Sequence, residues 1–355
     1  MGNAGKPVRV ALVGCGYWGP NLARNFHEIA DAELVACCDL DSRALDKMRL
    51  LYPTARVTDD FESICADPRV DAMAIATPAR THYTLARAAL ESGKHVLVEK
   101  PLTLNSQEAQ ELIFLAQKQE RVLMVGHVFQ YNPAVRYIKQ LITEGKLGDL
   151  YYLYSTRVNL GRVQSDINAL WSIAPHDISI LLYLLESEPE WVSARGAIYL
   201  TDGIEDVVFM DLGFPKGILA HVHVSWLDPS KVRRMTIVGS KQMVVYDDVA
   251  DEGKVKLYEK GVYRKGEPGF GEFQYRVHSG MITIPRLDLI EPLRLECQHF
   301  IECIREKRRP ETDGINGLQV VRILEAAQAS LDQGGRPQSL EPFSRTPQGE
   351  WAAWA

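Results

Sequence analysis

The stretch PVRVALVGCGYWGPNLARNF, residues 7–26, decides the fold of the first part of the chain. A short apolar run rich in β-branched residues ends at the glycines of GCGYWG, and an amphipathic segment follows. Strand, glycine turn and helix in this order give the spacing G-x-G-x-x-G a structural context that a chance match lacks. The stretch therefore predicts the first strand and helix of a doubly wound parallel sheet.

The glycine turn also predicts a ligand. Gly14 permits a tight turn, Gly16 lets the backbone approach a pyrophosphate, and Gly19 lets the helix pack on the strand. The unpaired N–H groups and the positive dipole end of the helix attract phosphate oxygens. We predict that this turn, including Tyr17 and Trp18, binds a dinucleotide. An ordinary glycine-rich turn between a strand and a helix is the alternative.

The second predicted strand, ELVACCDL at 33–40, ends near an acidic residue. Asp39 lies 25 positions beyond Gly14, close to the roughly 20-residue offset of a carboxylate that binds the adenosine ribose. A carboxylate here accepts hydrogen bonds from the ribose hydroxyls and repels a 2′-phosphate, so NAD is predicted rather than NADP. Arg43 could tolerate a 2′-phosphate, and Asp39 could instead cap the next helix.

Strands and helices continue to alternate up to residue 127, which predicts a parallel sheet. Ligands bind beyond the carboxyl ends of such strands. The strand VLVEKPL, 96–102, ends in a lysine and a proline, both unsuited to the interior of a sheet. Besides the glycine turn and Asp39, the predicted cofactor site comprises Thr77, Pro78, His82, Glu99, Lys100 and Pro101.

The composition changes after about residue 148. Successive β-rich runs, among them DLYYLYSTRVNL, DVVFMDLGF and GILAHVHVSWL, are joined by short turns and predict a large, mostly antiparallel open sheet. Helices are predicted near 294–307 and at 317–331. The fold class is therefore α/β, with a dinucleotide-binding domain at 1–127, an α+β domain for substrate binding and oligomerisation at 128–335, and an extended arm at 336–355.

Overall composition excludes several classes of protein. The net charge is −6 and the chain has no long basic block, which disfavours a nucleic-acid partner. No apolar run reaches the roughly 18 residues that span a bilayer, and the N-terminus lacks the features of a signal peptide. The six cysteines have no C-x-x-C spacing, so we expect reduced thiols, no metal site and a cytoplasmic location.

The segment WSIAPHDISILLYLLE, 171–186, has apolar residues at helical spacing. His176 stands beside Pro175 and is predicted to lie in the first turn of this helix. A helix N-terminus disfavours protonation, so a histidine there stays neutral and can accept a proton. A histidine that caps or packs locally is the alternative.

Together these motifs resemble one family. GCGYWG, Asp39, TPxxxH at 77–82, EKP at 99–101, GH at 126–127 and PHD at 175–177 are similar to the glucose–fructose oxidoreductase / inositol 2-dehydrogenase (Gfo/Idh/MocA) family. The resemblance implies that Lys100 contacts the reacting hydroxyl, that the bond to Pro101 is often strained or cis, and that His176 is the general base.

In one respect the sequence departs from the family pattern. Many members have an aspartate one turn before the histidine, and here the residue is Ser172. Several segments, including VGCGYWGPNLARNF and EPLRLECQHFIECI, resemble dehydrogenases that oxidise the 3-hydroxyl of UDP-N-acetylglucosamine or its uronic acid. The diphosphate of such a substrate needs cations, which arginine supplies well. The predicted substrate site comprises Lys100, Tyr131, Arg157, Asn159, Arg162, Ser172 and His176.

Other functions remain open at this stage. An NADP-dependent ketosugar reductase, an inositol or free-sugar dehydrogenase, and a dinucleotide-binding regulator without turnover are the alternatives. Outward positions in YYLYSTRV and GILAHVHVSWL are apolar, and large exposed apolar patches mark interfaces. We therefore expect a homodimer or homotetramer built across the open face of the sheet.

Overall fold

The structure of the protein is a computed structural model that describes residues 6–265 and 274–341. Its backbone contacts form two compact units, one of residues 6–131 with 290–322 and the other of residues 132–289 with 323–341. Residues 290–322 thus pack with the first unit, although in the chain they lie between the two segments of the second unit. The predicted domain boundaries, which follow chain order, stay a prediction.

Helices and strands follow one another as the sequence patterns predict. The α-helices are α1 Gly19–Glu28, α2 Ser42–Leu51, α3 Phe61–Cys65, α4 His82–Glu91, α5 Ser106–Lys118, α6 Pro133–Thr143, α7 Ala169–Leu185, α8 Pro292–Glu306 and α9 Gly314–Asp332. The strands are β1 Val8–Val13, β2 Ala32–Cys38, β3 Arg56–Thr58, β4 Ala72–Ile75, β5 His95–Glu99, β6 Leu123–Gly126, β7 Leu150–Val158, β8 Trp191–Ala197, β9 Val207–Phe214, β10 Ile218–Ser225, β11 Val232–Gly239, β12 Met243–Asp247, β13 Val255–Lys265, β14 Gln274–Thr283 and β15 Gln338–Ser339.

The first unit contains a six-stranded parallel sheet in the order β3-β2-β1-β4-β5-β6. Strands β4 and β6 are buried along their whole length, as expected of a sheet covered on both faces. This strand order is that of a dinucleotide-binding Rossmann fold, and it brings the carboxyl ends of all six strands to one edge. The predicted doubly wound sheet is confirmed.

The second unit contains a nine-stranded sheet in the order β14-β13-β12-β11-β7-β10-β9-β8-β15. Its neighbours pair antiparallel except β10 and β7, which are parallel. The predicted mostly antiparallel sheet is therefore confirmed. Of the predicted arm, Gln338–Ser339 extends the edge of this sheet as β15, and residues 342–355 lie outside the described residues.

Side chains alternate between the two faces of the central strand β7. Leu153, Ser155 and Arg157 are buried on one face, whereas Tyr152 and Tyr154 are 45% and 42% exposed on the other. The buried face is covered by α7, which packs against β7, β9 and β10. The opposite face is open in the single chain, and it carries a concave region of about 640 Å³ lined by Tyr152, Tyr154, Trp191, Asp211, Leu219 and His221.

The helix that carries His176 begins earlier than the sequence predicts. Asn168 caps α7 by accepting a hydrogen bond from the N–H of Trp171, so the helix starts at Ala169 and contains Pro175 in its interior. The prediction that His176 lies in the first turn is therefore wrong. Because it lies well inside the helix, the electrostatic effect of the helix N-terminus does not act on its imidazole.

Among residues 6–265 and 274–341, no helix combines the length and the apolar character needed to cross a membrane.

Candidate active-site elements in the two units

The glycine turn after β1 is shaped by backbone crowding. Gly14 has a φ of +94°, and a Cβ atom there would lie 2.6 Å from the carbonyl carbon of Ala76. A Cβ atom on Gly19 would lie 2.0 Å from the carbonyl oxygen of Gly14. In contrast, a Cβ atom on Gly16 would meet no atom of the described residues within 4 Å. The first and third glycines therefore close the turn, while the second leaves open space at its surface.

The start of α1 fits a phosphate group. Among the described residues, no side chain caps helix α1; its first turn contains no acidic residue, and Pro20 stands at its start. No carboxylate of this first turn therefore competes with a ligand for the N–H groups. The positive end of the helix dipole faces the turn. Gly16 and Tyr17 are exposed beside it, and Trp18 is half-buried. These features fit the pyrophosphate of a dinucleotide.

Asp39 lies directly after β2 and is bonded to the glycine turn. Its Oδ2 accepts a hydrogen bond from the N–H of Cys15 at 2.5 Å, and its Oδ1 accepts one from the N–H of Asp41 at 2.8 Å. Asp41, not Asp39, caps α2. A carboxylate oxygen can accept more than one hydrogen bond, so Asp39 can hold the turn and still accept bonds from a ribose.

His82 joins two strand ends of the first unit. Its Nδ1 lies 2.7 Å from the carbonyl oxygen of Pro101, and its Nε2 lies 2.9 Å from that of Thr77. Burial lowers the pKa of His82 and outweighs the two carbonyl groups, which raise it, so the ring is neutral at pH 7 and donates to one of them. His82 is 1% exposed and therefore supports the segments after β4 and β5; its direct contact with a cofactor stays a prediction.

Lys100 follows β5, and its peptide bond to Pro101 is cis, as the family resemblance implies. The lysine side chain is half-buried. Its positive charge lowers the pKa values of His82, Glu99 and His127. A cationic group therefore lies at the carboxyl edge of the parallel sheet, where ligands of such sheets bind.

Two carboxyl groups with raised pKa values lie in the same unit: Glu99 is half-buried and Glu296 is fully buried. Burial raises the pKa of Glu99 to about 7, although the charge of Lys100 and its backbone N–H, 3.3 Å from Oε2, lower it. Glu296 of α8 is fully buried, and neither of its oxygens is hydrogen-bonded within the described residues. Burial raises the Glu296 pKa well above its usual value, and the charge of Glu99 raises it further. Burial therefore favours the protonated form of Glu296.

Glu296 is not among the residues predicted from the sequence, although its position carries a signal. It occupies the buried stripe of α8 between Leu293, Cys297 and Phe300. A carboxyl group in an apolar stripe is unusual and indicates a special environment. The ring of His127 is likewise fully buried, with neither nitrogen hydrogen-bonded in the described part of the chain, and burial lowers its pKa to about 3.

Tyr131 was predicted to bind substrate. The structure places it in the core of the first unit, where it is 1% exposed and its hydroxyl lies 3.1 Å from that of Thr312. Burial raises the pKa of Tyr131 well above its usual value. The hydroxyl group is thus a neutral hydrogen-bonding group in the interior.

In the second unit, His176 and Ser172 are half-buried residues of α7, one turn apart. The hydroxyl of Ser179 donates to the carbonyl oxygen of His176 at 2.8 Å. The next residue, Asp177, is 2% exposed and points into the unit. Its Oδ1 accepts a hydrogen bond from Ser155 at 2.5 Å, and its Oδ2 accepts one from Nε of Arg157 at 2.6 Å.

The three substrate candidates near the end of β7 differ in accessibility. Arg157 is 7% exposed and its guanidinium forms the buried ion pair with Asp177. Asn159 is half-buried, and its backbone bonds to Ser225 and Asp228. Arg162 is exposed. The structure thus leaves Arg162 accessible to a ligand and gives Arg157 an internal partner.

Comparison with protein families agrees with this arrangement. Residues 8–127 match the family described as an oxidoreductase family with an NAD-binding Rossmann fold, and residues 135–245 match the GFO/IDH/MocA C-terminal domain. The chain belongs to the GFO/IDH/MocA oxidoreductase family. It is therefore an NAD-binding oxidoreductase. That the glycine turn and Asp39 contact the NAD stays a prediction.

Several relatives in this family act on sugars and inositols. The chain is 28% identical over 317 residues to the UDP-N-acetylglucosamine 3-dehydrogenase of Acidithiobacillus ferrooxidans, covering 88% of this chain and 94% of that protein. It is also 28% identical over 347 residues to scyllo-inositol 2-dehydrogenase (NAD(+)) of Bacillus subtilis, covering 94% and 96%. A solved structure of the Acidithiobacillus enzyme matches with a TM-score of 0.77 at 25% identity, covering 92% and 97%.

Replacing Asp39 with Ala should weaken NAD binding by about 10-fold or more, because a charged hydrogen bond contributes roughly 1.5–3 kcal/mol. The preference for NAD over NADP should narrow at the same time. Asp39→Asn is the matched control, since its amide oxygen can still accept from Cys15. Binding titrations with both cofactors measure the effect, and tighter binding of NADP by the unaltered protein would contradict the prediction.

Replacing Glu296 with Gln should reduce the pH dependence of stability. A raised acid pKa stabilises the native state at low pH, and this stabilisation is lost as pH rises. For Glu99, which is unchanged in this variant, the loss of stabilisation begins near pH 4.5 and continues through about pH 7. The free energy of unfolding of the unaltered protein should decrease between pH 5 and 8. In Glu296→Gln this decrease should be smaller, by on the order of 1–3 kcal/mol.

Chemical denaturation at a series of pH values measures this difference. Glu302→Gln changes a partly exposed carboxylate on the same helix that is paired with Arg308 near the surface; it is the control and should leave the pH dependence nearly unchanged. Equal slopes for Glu296→Gln and the unaltered protein would show that the buried carboxyl groups are not protonated as expected.

Proposed function

We propose that the protein uses NAD to oxidise a secondary hydroxyl, at C3, of a UDP-amino sugar such as UDP-N-acetylglucosamine or its uronic acid. The observation that carries this proposal is the lysine at the carboxyl end of β5, in a unit whose glycine turn fits NAD. Similarity along 94% of the length of a UDP-N-acetylglucosamine 3-dehydrogenase supports the choice of substrate. NAD, when bound, accepts the hydride from the carbinol carbon.

Lys100 is proposed to stabilise the oxygen of the reacting hydroxyl. As the hydroxyl loses its proton, negative charge develops on that oxygen, and a cation placed beside it lowers the barrier. The charge of Lys100 already influences three neighbouring titratable groups, so it acts over short distances in a poorly solvated region. A lysine suits this role because it supplies charge without a metal ion.

His176 is proposed to accept the hydroxyl proton. A neutral imidazole has one nitrogen without a proton, which can act as a general base. The side chain is half-buried on α7 and is therefore partly accessible to a ligand. Ser172, one turn earlier, is proposed to contact the same substrate, in the position where the family resemblance implies an aspartate.

Lys100→Met and His176→Ala should each lower the turnover number by on the order of 10² or more, as removal of a positioned acid–base or charged group does. Both variants should keep the melting temperature of the unaltered protein. Their affinity for NAD should stay within about threefold of its value. Lys118→Met and His27→Ala, which change exposed residues at helix ends, are the matched controls. Near-normal turnover by His176→Ala would mean that another residue is the base.

The diphosphate of the substrate is proposed to bind Arg162, with Asn159 beside it. Arg162 is exposed and its planar guanidinium can donate two parallel hydrogen bonds to a phosphate. Arg157 was a candidate for the same role, but its guanidinium forms the buried pair with Asp177. The diphosphate proposal therefore rests on Arg162.

The substrate panel consists of UDP-N-acetylglucosamine, its uronic acid, free N-acetylglucosamine, myo-inositol and scyllo-inositol, with NAD reduction as the measurement. We expect a clear preference for the nucleotide sugars. Arg162→Ala should raise KM by about 10-fold and change kcat little, because it removes binding rather than chemistry. Arg162→Lys should retain part of the affinity.

The panel also separates the alternatives. The similarity to scyllo-inositol 2-dehydrogenase favours an inositol as the second candidate substrate. If an inositol is the best substrate, Arg162 is an ordinary surface residue without a role in substrate binding. Reduction of a ketosugar with NADPH in preference to NAD would favour the reductase. Cofactor binding without turnover on any sugar would favour a regulator.

The open face of the second unit is proposed to form a homodimer or homotetramer in the cytoplasm. Leu219 and Phe209 are 52% and 45% exposed on it, and the Phe209 ring stacks on that of His223 at 4.4 Å. The aromatic pair Tyr152 and Tyr154 lies on the same face. Apolar and aromatic area of this kind is usually covered in an assembly.

Light scattering at micromolar concentration should therefore give the mass of a dimer or a tetramer. Leu219→Asp should shift the protein toward a smaller species, because a carboxylate on this face would be desolvated in the interface. Leu50→Asp, which alters a residue that is 84% exposed on α2 of the first unit, is the matched control. A monomeric unaltered protein would refute the assembly.

A further inference from the structure

Helix α7 is locally weak at the residue proposed as the base. Pro175 stands inside the helix immediately before His176. Proline has no N–H, so the hydrogen bond to the carbonyl four residues earlier is missing, and the ring crowds the preceding turn. The direction of the His176 side chain is therefore less well fixed by helical hydrogen bonds than that of a residue in an uninterrupted helix.

The residue after His176 is held by two side chains of β7. Asp177 accepts from the hydroxyl of Ser155 at 2.5 Å and from Arg157 Nε at 2.6 Å, and a second guanidinium nitrogen lies 3.3 Å from its Oδ1. Arg157 and Ser155 are two residues apart on the same face of the strand. The carboxylate is thus fixed at both oxygens by one strand.

The ion pair is almost completely removed from solvent. The side chains of Arg157 and Asp177 are 8% and 2% exposed. Arg157 keeps a raised pKa, because the charge of Asp177 and its hydrogen bond outweigh the cost of burial, with Tyr246 and Asp248 contributing. A buried ion pair is a weak source of stability compared with apolar side chains of the same size. Its use at this position points to geometry rather than stability.

The guanidinium itself lies in a larger polar network of the second unit. The hydroxyl of Tyr246 donates to Asp248 at 3.0 Å, and the side-chain amide of Asn132 donates to that hydroxyl at 3.1 Å. Arg233 lies 3.3 Å from Asp248. These contacts join β12 to the start of α6, and Tyr246 and Asp248 influence the charge of Arg157.

We infer that Arg157 and Asp177 are positioning residues that fix the orientation of His176 on α7. Consecutive helix residues point about 100° apart. With Asp177 fixed toward β7, the rotation of this turn about the helix axis is set, and the direction of the neighbouring imidazole with it. The inference rests on the proposed role of His176 as base, and Ser155 serves as a supporting donor.

A thermodynamic cycle tests the inference. The variant Ser155→Ala/Arg157→Met/Asp177→Leu replaces the buried cluster by apolar side chains and removes both charges of the pair together. NAD reduction with UDP-N-acetylglucosamine is measured for the unaltered protein, this variant, His176→Ala, and the two sets of changes combined. We expect the cluster variant to lose at least 10-fold in kcat in the presence of His176 and less than twofold in its absence, because coupled residues are non-additive.

The controls separate position from stability. Arg234→Met changes an arginine paired with Asp247 on the same sheet, opposite Thr156 of β7, and should leave kcat within about twofold. Melting temperature and NAD affinity are measured for every variant. If the cluster variant does not fold, Arg157→Lys is measured in its place, because it keeps both buried charges while losing the two-pronged contact.

A second measurement does not depend on turnover. In protein labelled with ¹⁵N-histidine, the ring signals of His176 are identified by their loss in His176→Ala. We expect them to shift or broaden in the cluster variant and to remain unchanged in Arg234→Met. Unchanged His176 signals in a folded cluster variant, or an equal loss of kcat with and without His176, would overturn the inference.

The same measurements distinguish failure of the proposed function. If His176→Ala turns over normally, the base has been assigned wrongly, and the inferred catalytic purpose of the pair is overturned with it. A shift of the His176 ring signals would then show that Asp177 still orients the imidazole. A loss of kcat confined to proteins that contain His176, together with shifted signals, supports both assignments.

Discussion

The first unit depends on the close passage of two backbone segments at Gly14. Its Cα lies so near the backbone of Ala76 that a side chain has no room, and Gly19 is equally confined against the carbonyl of Gly14. These contacts hold α1 close to β1 and β4, which are the two central strands of the sheet. Because neighbouring parallel strands end at the same edge, fixing this centre also brings Asp39 and Lys100 to the edge where NAD-binding folds hold their ligand.

Much of this fold could be predicted from the sequence, because alternating strands and helices are short-range patterns that each strand or helix displays by itself. The start of α7 could not, since Pro175 suggested a first turn and the cap at Asn168 lies outside the motif. The placement of residues 290–322 with the first unit also escaped prediction. An amphipathic pattern shows that a helix has a partner but not which part of the chain supplies it.

For the candidate site, the sequence identifies residue types better than their surroundings. The glycines, Asp39 and Lys100 have positions set by local motifs, and the structure places them at the expected strand ends. Arg157 and Tyr131 were proposed as ligand-binding side chains, yet both are buried with internal partners. Whether an arginine is exposed to solvent or forms an internal ion pair with an aspartate depends on contacts between segments that are distant in the sequence. Glu296 shows the reverse case, in which an unusual position within an apolar stripe was the only local sign.

Strand β7 presents two unrelated surfaces, with tyrosines on one face and the Ser155–Arg157 pair on the other. Its pairing is fixed on both sides, parallel to β10 and antiparallel to β11. Inserting or deleting a single residue in this strand would exchange the faces of every later side chain, placing a charged guanidinium among the tyrosines and an aromatic ring against α7. Evolution can therefore vary the side chains of β7 one at a time, but changes in length must accumulate in the connecting loops.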